Sequence, residues 1–164
     1  MGCCARNQIG YSCAHNHMPT LDRTLTYRLH ALHKLIDRDS QAAYAAHAGL
    51  PLSEARCLGA VGAFAPLSVN DLARRANLNK AQASRAAQAL VEQALVRKEA
   101  SATDGRGVVL TLTRKGEQAW QRVMRVIEHR NHEVFGVLSD TERQQFGRLL
   151  DRLLERGRAR DDDE

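Results

Sequence analysis

Residues 68–116, SVNDLARRANLNKAQASRAAQALVEQALVRKEASATDGRGVVLTLTRKG, decide the fold of this 164-residue chain. Ser68 with Asp71 three positions on has the form of a capping box with the shorter acid, opening a helix that buries Val69, Leu72 and Ala73. Asn77, a residue that tolerates the left-handed conformation, ends it. Asn79 then caps a second helix with Gln82 at its third position, and Leu90 and Val91 fall on the inward side. Two short capped helices about three residues apart have the spacing of a helix-turn-helix. After Ala94 the apolar period changes from helical to extended. Leu95 to Glu99 and Val108 to Leu112 read as strands, and Asp104, Gly105, Arg106 and Gly107 read as the hairpin loop between them. Thr113 is placed to cap the helix that follows.

Upstream, Leu21, Leu25, Leu29, Leu32 and Ile36 recur at helical spacing after Thr20, the expected N-cap, and the amphipathic helix runs to near His47 before Gly49 and Pro51 stop it. Ser53 is the expected cap of a short helix that turns Cys57, Leu58, Val61 and Phe64 inward and ends at Pro66. Downstream, the helix from Thr113 carries Trp120, Val123, Ile127 and Val134. Ser139 with Glu142 forms a capping box for a last helix bearing Phe146, Leu149, Leu150, Leu153 and Leu154. The chain therefore reads as mainly α with a small β-hairpin wing. One domain spans about residues 20–157, with a winged helix-turn-helix lobe over about 53–113 between helices over about 20–48 and 114–157. Residues 1–19 form a leader and 158–164 an acidic tail. Long amphipathic helices at both ends of so small a chain have little of their own monomer to bury against, which predicts a homodimer joined through them.

The formal charge of +5 has one address. Between Val69 and Lys115 nine basic residues, Arg74 and Arg75 among them, face four acidic ones, an excess equal to that of the whole chain. Such a patch is the electrostatic footprint of a polyanionic partner. Aromatic residues make up 4% of the chain, too few for the stacking platform of a single-strand binder. No apolar run approaches the roughly 20 residues of a membrane span and no secretory h-region opens the chain, so a cytoplasmic protein without membrane contact is expected. Arg6 stands where the myristoylation pattern needs Ser or Thr. Cys3, Cys4 and Cys13 crowd the polar leader with His15 and His17, without the second CxxC-type pair of a closed metal site, so reduced thiols and neither metal nor cofactor are expected. Residues 1–17 read as a disordered tail or an upstream extension. The chain lacks nucleophile–base spacing, a Gly-rich phosphate loop and HExxH, which speaks against an enzyme.

A helix that enters the major groove needs small and hydrogen-bonding side chains at its N-terminal end. Residues 79–90, NKAQASRAAQAL, supply them. Lys80 and Arg85 suit phosphates or guanine edges, Gln82 and Gln88 suit adenine, Ser84 suits a phosphate, and Asn79 begins the helix, whose N-terminus itself favours phosphate. Arg97 and Lys98 add charge on the first strand. Arg106, between two glycines, suits the narrow minor groove, and Asp104, which phosphates would repel, is expected to orient Arg106 or Arg85.

The stretch from Ser68 to Gly116 resembles the MarR family of regulators. There a helix-turn-helix leads to a wing with an Asp-Arg-Arg signature and then to a Leu-Thr, Thr or Glu, Lys-Gly opening of the next helix, matched here by Asp104, Arg106, Leu110, Leu112, Thr113, Lys115 and Gly116. With its flanking helices the resemblance covers about residues 20–156. Two positions depart from it: Gly105 replaces the first arginine, and Ala94 replaces the glycine usual before the Leu-Val of the wing. If that position needs a positive φ, alanine costs about 1 kcal/mol. The resemblance implies an obligate homodimer on a pseudo-palindromic double-stranded operator, a transcription regulator acting as a repressor. It also implies release by a small aromatic acid or by thiol oxidation. The effector cleft it implies, between dimer helices and DNA-binding lobe, would draw on His30, His33 and Arg56, and a thiol switch would use Cys13. A redox-sensing regulator of the same fold and a non-specific architectural nucleic-acid-binding protein are the competing readings.

Overall fold

A computed structural model gives residues 20–100 and 107–161, so the leader with Cys13 and the wing tip with Asp104 and Arg106 lie outside the described residues. After a 3-10 turn, Leu21–Arg23, come α1 Leu25–Ala48, α2 Leu52–Phe64, α3 Val69–Arg75, α4 Lys80–Glu92, β1 Val96–Ala100, β2 Val108–Leu112, α5 Arg114–Phe135 and α6 Asp140–Asp161. The mainly helical winged architecture expected from the sequence is the one observed.

Most helices begin where a side chain takes an otherwise unpaired amide. Asn79 and Gln82 form the full reciprocal box, with the Gln82 amide donating to Asn79 Oδ1 at 2.8 Å and the Asn79 amide to Gln82 Oε1 at 3.2 Å. Ser139 and Glu142 form another, the Ser139 amide donating to Glu142 Oε2 at 2.8 Å. Thr113 Oγ1 accepts from the Gly116 amide at 2.9 Å. Ser68 accepts from the Asp71 amide at 3.1 Å, but its hydroxyl, rather than its amide, meets the Asp71 carboxylate, at 2.7 Å. Two expected caps are corrected. Thr20 makes no side-chain cap; the chain takes its 3-10 turn first, and Thr24 Oγ1 accepts from the Tyr27 amide at the start of α1. Ser53 lies inside α2, whose N-cap is Pro51, a residue that has no amide hydrogen to satisfy. Gly49 at φ +68° and Asn77 at φ +53° end α1 and α3 in the left-handed region, as expected of those residue types.

The contacts divide the chain into two units, the first ending at Leu35 and the second beginning at Ile36. In the first, Leu21, Leu25, Leu29, Leu32 and Leu35 are all exposed. In the second, α2 occupies the centre and packs against α3, α4, α5 and β2, with Cys57, Leu58, Val61, Leu72, Leu90, Leu110 and Val123 fully buried. Phe64, expected inward, is 48% exposed and carries the Arg75 guanidinium 4.6 Å above its ring. The hairpin is antiparallel with Val96 opposite Leu112 and Ala100 opposite Val108, and Leu67 adds an isolated bridge to Leu110. This bridge ties the wing to the segment leading into α3, so α4 and the wing are held on one frame. In α6, Leu149, Leu153 and Leu154 remain exposed.

Candidate nucleic-acid interface

Every third or fourth residue of α4 is buried: Ala83, Ala86, Ala87 and Leu90. Three alanines on the inner face let α4 lie close to its neighbours and leave the long polar residues on the outer face. Lys80, Gln82, Ser84, Arg85 and Gln88 are all exposed there. Neither Lys80, Ser84 nor Arg85 makes a hydrogen bond or ion pair among the described residues, so two positive charges and a hydroxyl stand ready in the first half of the helix, beside its positive dipole end.

The other residues expected to face DNA are partly committed within the fold. Asn79 and Gln82 each accept a capping hydrogen bond on the side-chain oxygen, which orients Gln82 toward the helix start rather than holding its donor and acceptor together for adenine. Gln88 donates to Glu92 at 3.0 Å and accepts from Lys98 Nζ at 3.0 Å, stitching α4 to β1. Arg97 pairs with Glu99 at 2.8 Å and donates to Thr111 Oγ1 at 3.1 Å across the hairpin. Arg97 is therefore anchored by the wing's own strands and Lys98 by α4, and both keep their charge beside the helix. Asp104 and Arg106 lie outside the described residues. Two residues of the basic patch that were not expected as DNA contacts are also engaged: Arg75, stacked on Phe64, and Lys115, whose Nζ donates to the Gln93 carbonyl at 2.9 Å just beyond the end of α4.

Of the expected effector residues, Arg56 on α2 forms a half-buried ion pair with Asp37 of α1. Arg56 lines a cavity of about 170 Å³ that also takes in Ser40, Tyr44, Ile127 and Phe135. Ser40 and Tyr44 were not anticipated, although their i, i+4 spacing on α1 places both on the face that carries Ile36. Burial pushes the Tyr44 hydroxyl above its ordinary value, Arg56 opposes the shift and Asp37 adds to it, so Tyr44 remains a neutral donor. Arg56, an apolar wall and a phenol make a lining suited to a small aromatic carboxylate. His30 and His33 are exposed on α1 within the first unit. Cys57 is buried, as the sequence suggested, and desolvation, reinforced by Glu54, pushes its thiol up to about 12. A thiol held protonated and away from solvent does not serve as an oxidation switch.

The MarR family model matches residues 48–107. Over 132 residues the chain is 27% identical to an HTH-type transcriptional repressor of Mycobacterium tuberculosis, a match covering 80% of this chain and 94% of the relative. Among solved structures it is similar to a MarR family protein of Mycobacterium tuberculosis in complex with salicylic acid, at 27% identity and a TM-score of 0.67, covering 81% of this chain and 98% of the other. It is also similar to a MarR family transcriptional regulator of Silicibacter pomeroyi, at 25% identity and a TM-score of 0.75, covering 82% of this chain and 90% of the other.

Proposed function

We propose that this chain is a winged helix-turn-helix transcriptional regulator of the MarR family, a homodimeric repressor that reads a pseudo-palindromic operator and releases it on binding a small aromatic acid. The observation that carries the DNA reading is the outer face of α4, where Lys80, Ser84 and Arg85 are exposed without partners among the described residues, above an inner face of alanines. In a two-fold dimer, two such helices enter major grooves about 34–36 Å apart, the repeat that half-sites of an operator share. Arg85 and Lys80 contact guanine edges or phosphates, Ser84 and Asn79 hold phosphate near the helix N-terminus, and Gln82 and Gln88 give single hydrogen bonds. Arg97 and Lys98 supply backbone attraction from the wing. Arg106 reaches the minor groove with Asp104 orienting it or Arg85.

Dimerisation uses the helices over about 20–48 and 114–157, whose exposed leucines need a covering surface. The effector occupies the Arg56 and Tyr44 cavity, its carboxylate competing with Asp37 for Arg56 and its phenol or ring meeting Tyr44. The salicylic acid bound by the 27%-identical relative supports this chemistry. Such a ligand loosens DNA binding only by favouring a conformation in which the two α4 helices no longer match the groove spacing. Among the described residues no helix is long and apolar enough to cross a membrane, and the repressor acts in the cytoplasm.

The test is titration of the purified protein against the DNA upstream of its own gene, over a salt series and in competition with random duplex. Steep salt dependence with resistance to random competitor, and release by salicylate, are the expected results. Equal loss to random DNA would overturn the sequence-specific reading in favour of architectural binding.

A further inference from the structure

A face of α5 different from the one bordering the Arg56 cavity closes, with the C-terminal half of α1, a larger cavity of about 580 Å³. Its floor is apolar, from Ala43 of α1 and the buried Val126 of α5. Its walls carry arginine and histidine side chains. Arg122 and Arg125 stand one helical turn apart on α5, His129 follows a turn later, and His47 lines the cavity from α1. The one carboxylate in the lining, Glu133, is already engaged: it pairs with Arg130 at 2.6 Å and with His129 at 3.4 Å. Among the described residues Arg125 has no ion pair, and Arg122 meets only the neutral Gln118 carbonyl, at 3.4 Å. Like charges at i, i+3 weaken a helix slightly, and among the described residues no ion pair offsets that for these two guanidinium groups. Planar forks over an apolar floor match a ligand with carboxylate or phosphate groups on a small hydrocarbon or sugar frame.

We propose that this cavity is a second small-molecule site, separate from the Arg56 cavity, that binds a metabolite carrying at least two anionic charges as carboxylates or phosphates. Arg122 and Arg125 hold the anionic groups and the Ala43–Val126 floor takes the ligand frame. Arg130 lines both cavities; its terminal nitrogens pair with Asp39 and Glu133, and its Nε is buried with no hydrogen-bond partner among the described residues. A ligand that draws Glu133 or Arg130 toward the larger cavity therefore alters the wall of the smaller one, and occupancy of the two sites is coupled.

Calorimetric titration of the full chain with pyrophosphate and, separately, with citrate at low ionic strength tests the site. One saturable event per chain is expected with at least one probe, and the tighter of the two identifies phosphate or carboxylate as the preferred group. The Arg122→Gln, Arg125→Gln double variant is expected to weaken it about tenfold or more, as two charge-assisted contacts are lost. Ala43→Leu, which fills the floor and leaves the charge alone, weakens it as well, whereas Arg85→Ala on α4 leaves it unchanged. Both substituted arginines are exposed and glutamine is a good helix former, so the fold persists and circular dichroism verifies it. Undiminished binding in the double variant, loss in Arg85→Ala, or no saturable event with either probe would each overturn the proposal. Binding that survives Ala43→Leu would reduce the cavity to a charged surface and overturn it equally.

Discussion

Ala94 holds φ +55° just before the first strand of the wing, a left-handed conformation that L-residues with a Cβ adopt only against steric resistance. The residue is exposed and so gains little packing in return. Ala94→Gly is expected to stabilise the protein by about 1 kcal/mol, read as a higher urea midpoint at unchanged m-value. No gain would mean that the added freedom of the unfolded chain cancels the relief of strain. Gly116 shows the opposite case. A Cβ there would lie inside the van der Waals shell of the Leu95 carbonyl oxygen, so the Lys-Gly at the start of α5 is a requirement of close approach between helix and wing. Both positions were visible in the sequence only as one departure from, and one agreement with, a family pattern; the backbone geometry supplies the reasons. Cys57 gives a second prediction at this scale. Buried among apolar neighbours and with its thiol raised to about 12, it is expected to resist iodoacetamide at pH 8 in the native state and to react once urea unfolds the chain, as followed by peptide mass spectrometry. Rapid native labelling at Cys57 would restore a thiol switch as a contender.

At the scale of elements, the caps at Ser68, Asn79, Thr113 and Ser139 were legible because each is a contact between residues three apart, wholly contained in the local sequence. Phe64 was misplaced because periodicity groups it with Cys57 and Val61, while the last turn of α2 extends beyond the core and meets Arg75 instead. The commitments of Arg97 and Gln88 were equally hidden. They depend on hairpin register, with Arg97 opposite Thr111, and on where α4 meets β1. This difference between committed and uncommitted side chains predicts unequal effects on DNA binding. Arg85→Ala is expected to cost about 1–3 kcal/mol of operator affinity, and Arg97→Ala less, in fluorescence anisotropy at fixed salt. Equal losses would mean that the Glu99 pairing of Arg97 opens on DNA. The cap of α6 carries a pH signature. The Ser139 hydroxyl, and then its amide, hold the Glu142 carboxyl below its ordinary range. A depressed carboxylate contributes stability that is fully present above its unfolded value and is lost as pH falls through its folded one. Exchange protection in the first turn of α6 is therefore expected to fall as the pH drops below about 4.5, and Glu142→Gln is expected to flatten that profile. An unchanged profile in Glu142→Gln would assign the acid sensitivity to another group.

For the molecule as a whole, the positive charge and the apolar surface are segregated. The basic excess lies between Val69 and Lys115, while the exposed leucines gather in Leu21 to Leu35 and along α6. The first distribution suits DNA and the second suits another copy of the chain, and both were readable because charge and helical periodicity survive without knowledge of tertiary contacts. What the sequence alone could not reveal was which leucines the monomer covers, since that depends on neighbours distant in the chain. Leu153 is 61% exposed and Leu149 45%, so replacing both with glutamate removes few intramolecular contacts and leaves each helix with a good helix former. In a dimer they would place four carboxylates in an apolar interface, a desolvation cost of several kcal/mol. Leu149→Glu with Leu153→Glu is therefore expected to give a folded monomer by light scattering, with helical content retained and operator affinity sharply reduced, because one α4 alone reads only a half-site. A truncation after Ser139 is expected to act in the same direction. A double variant that stays dimeric and binds the operator like the parent would move the interface off this face of α6, leaving the leucines between Leu21 and Leu35 as the surface to test next.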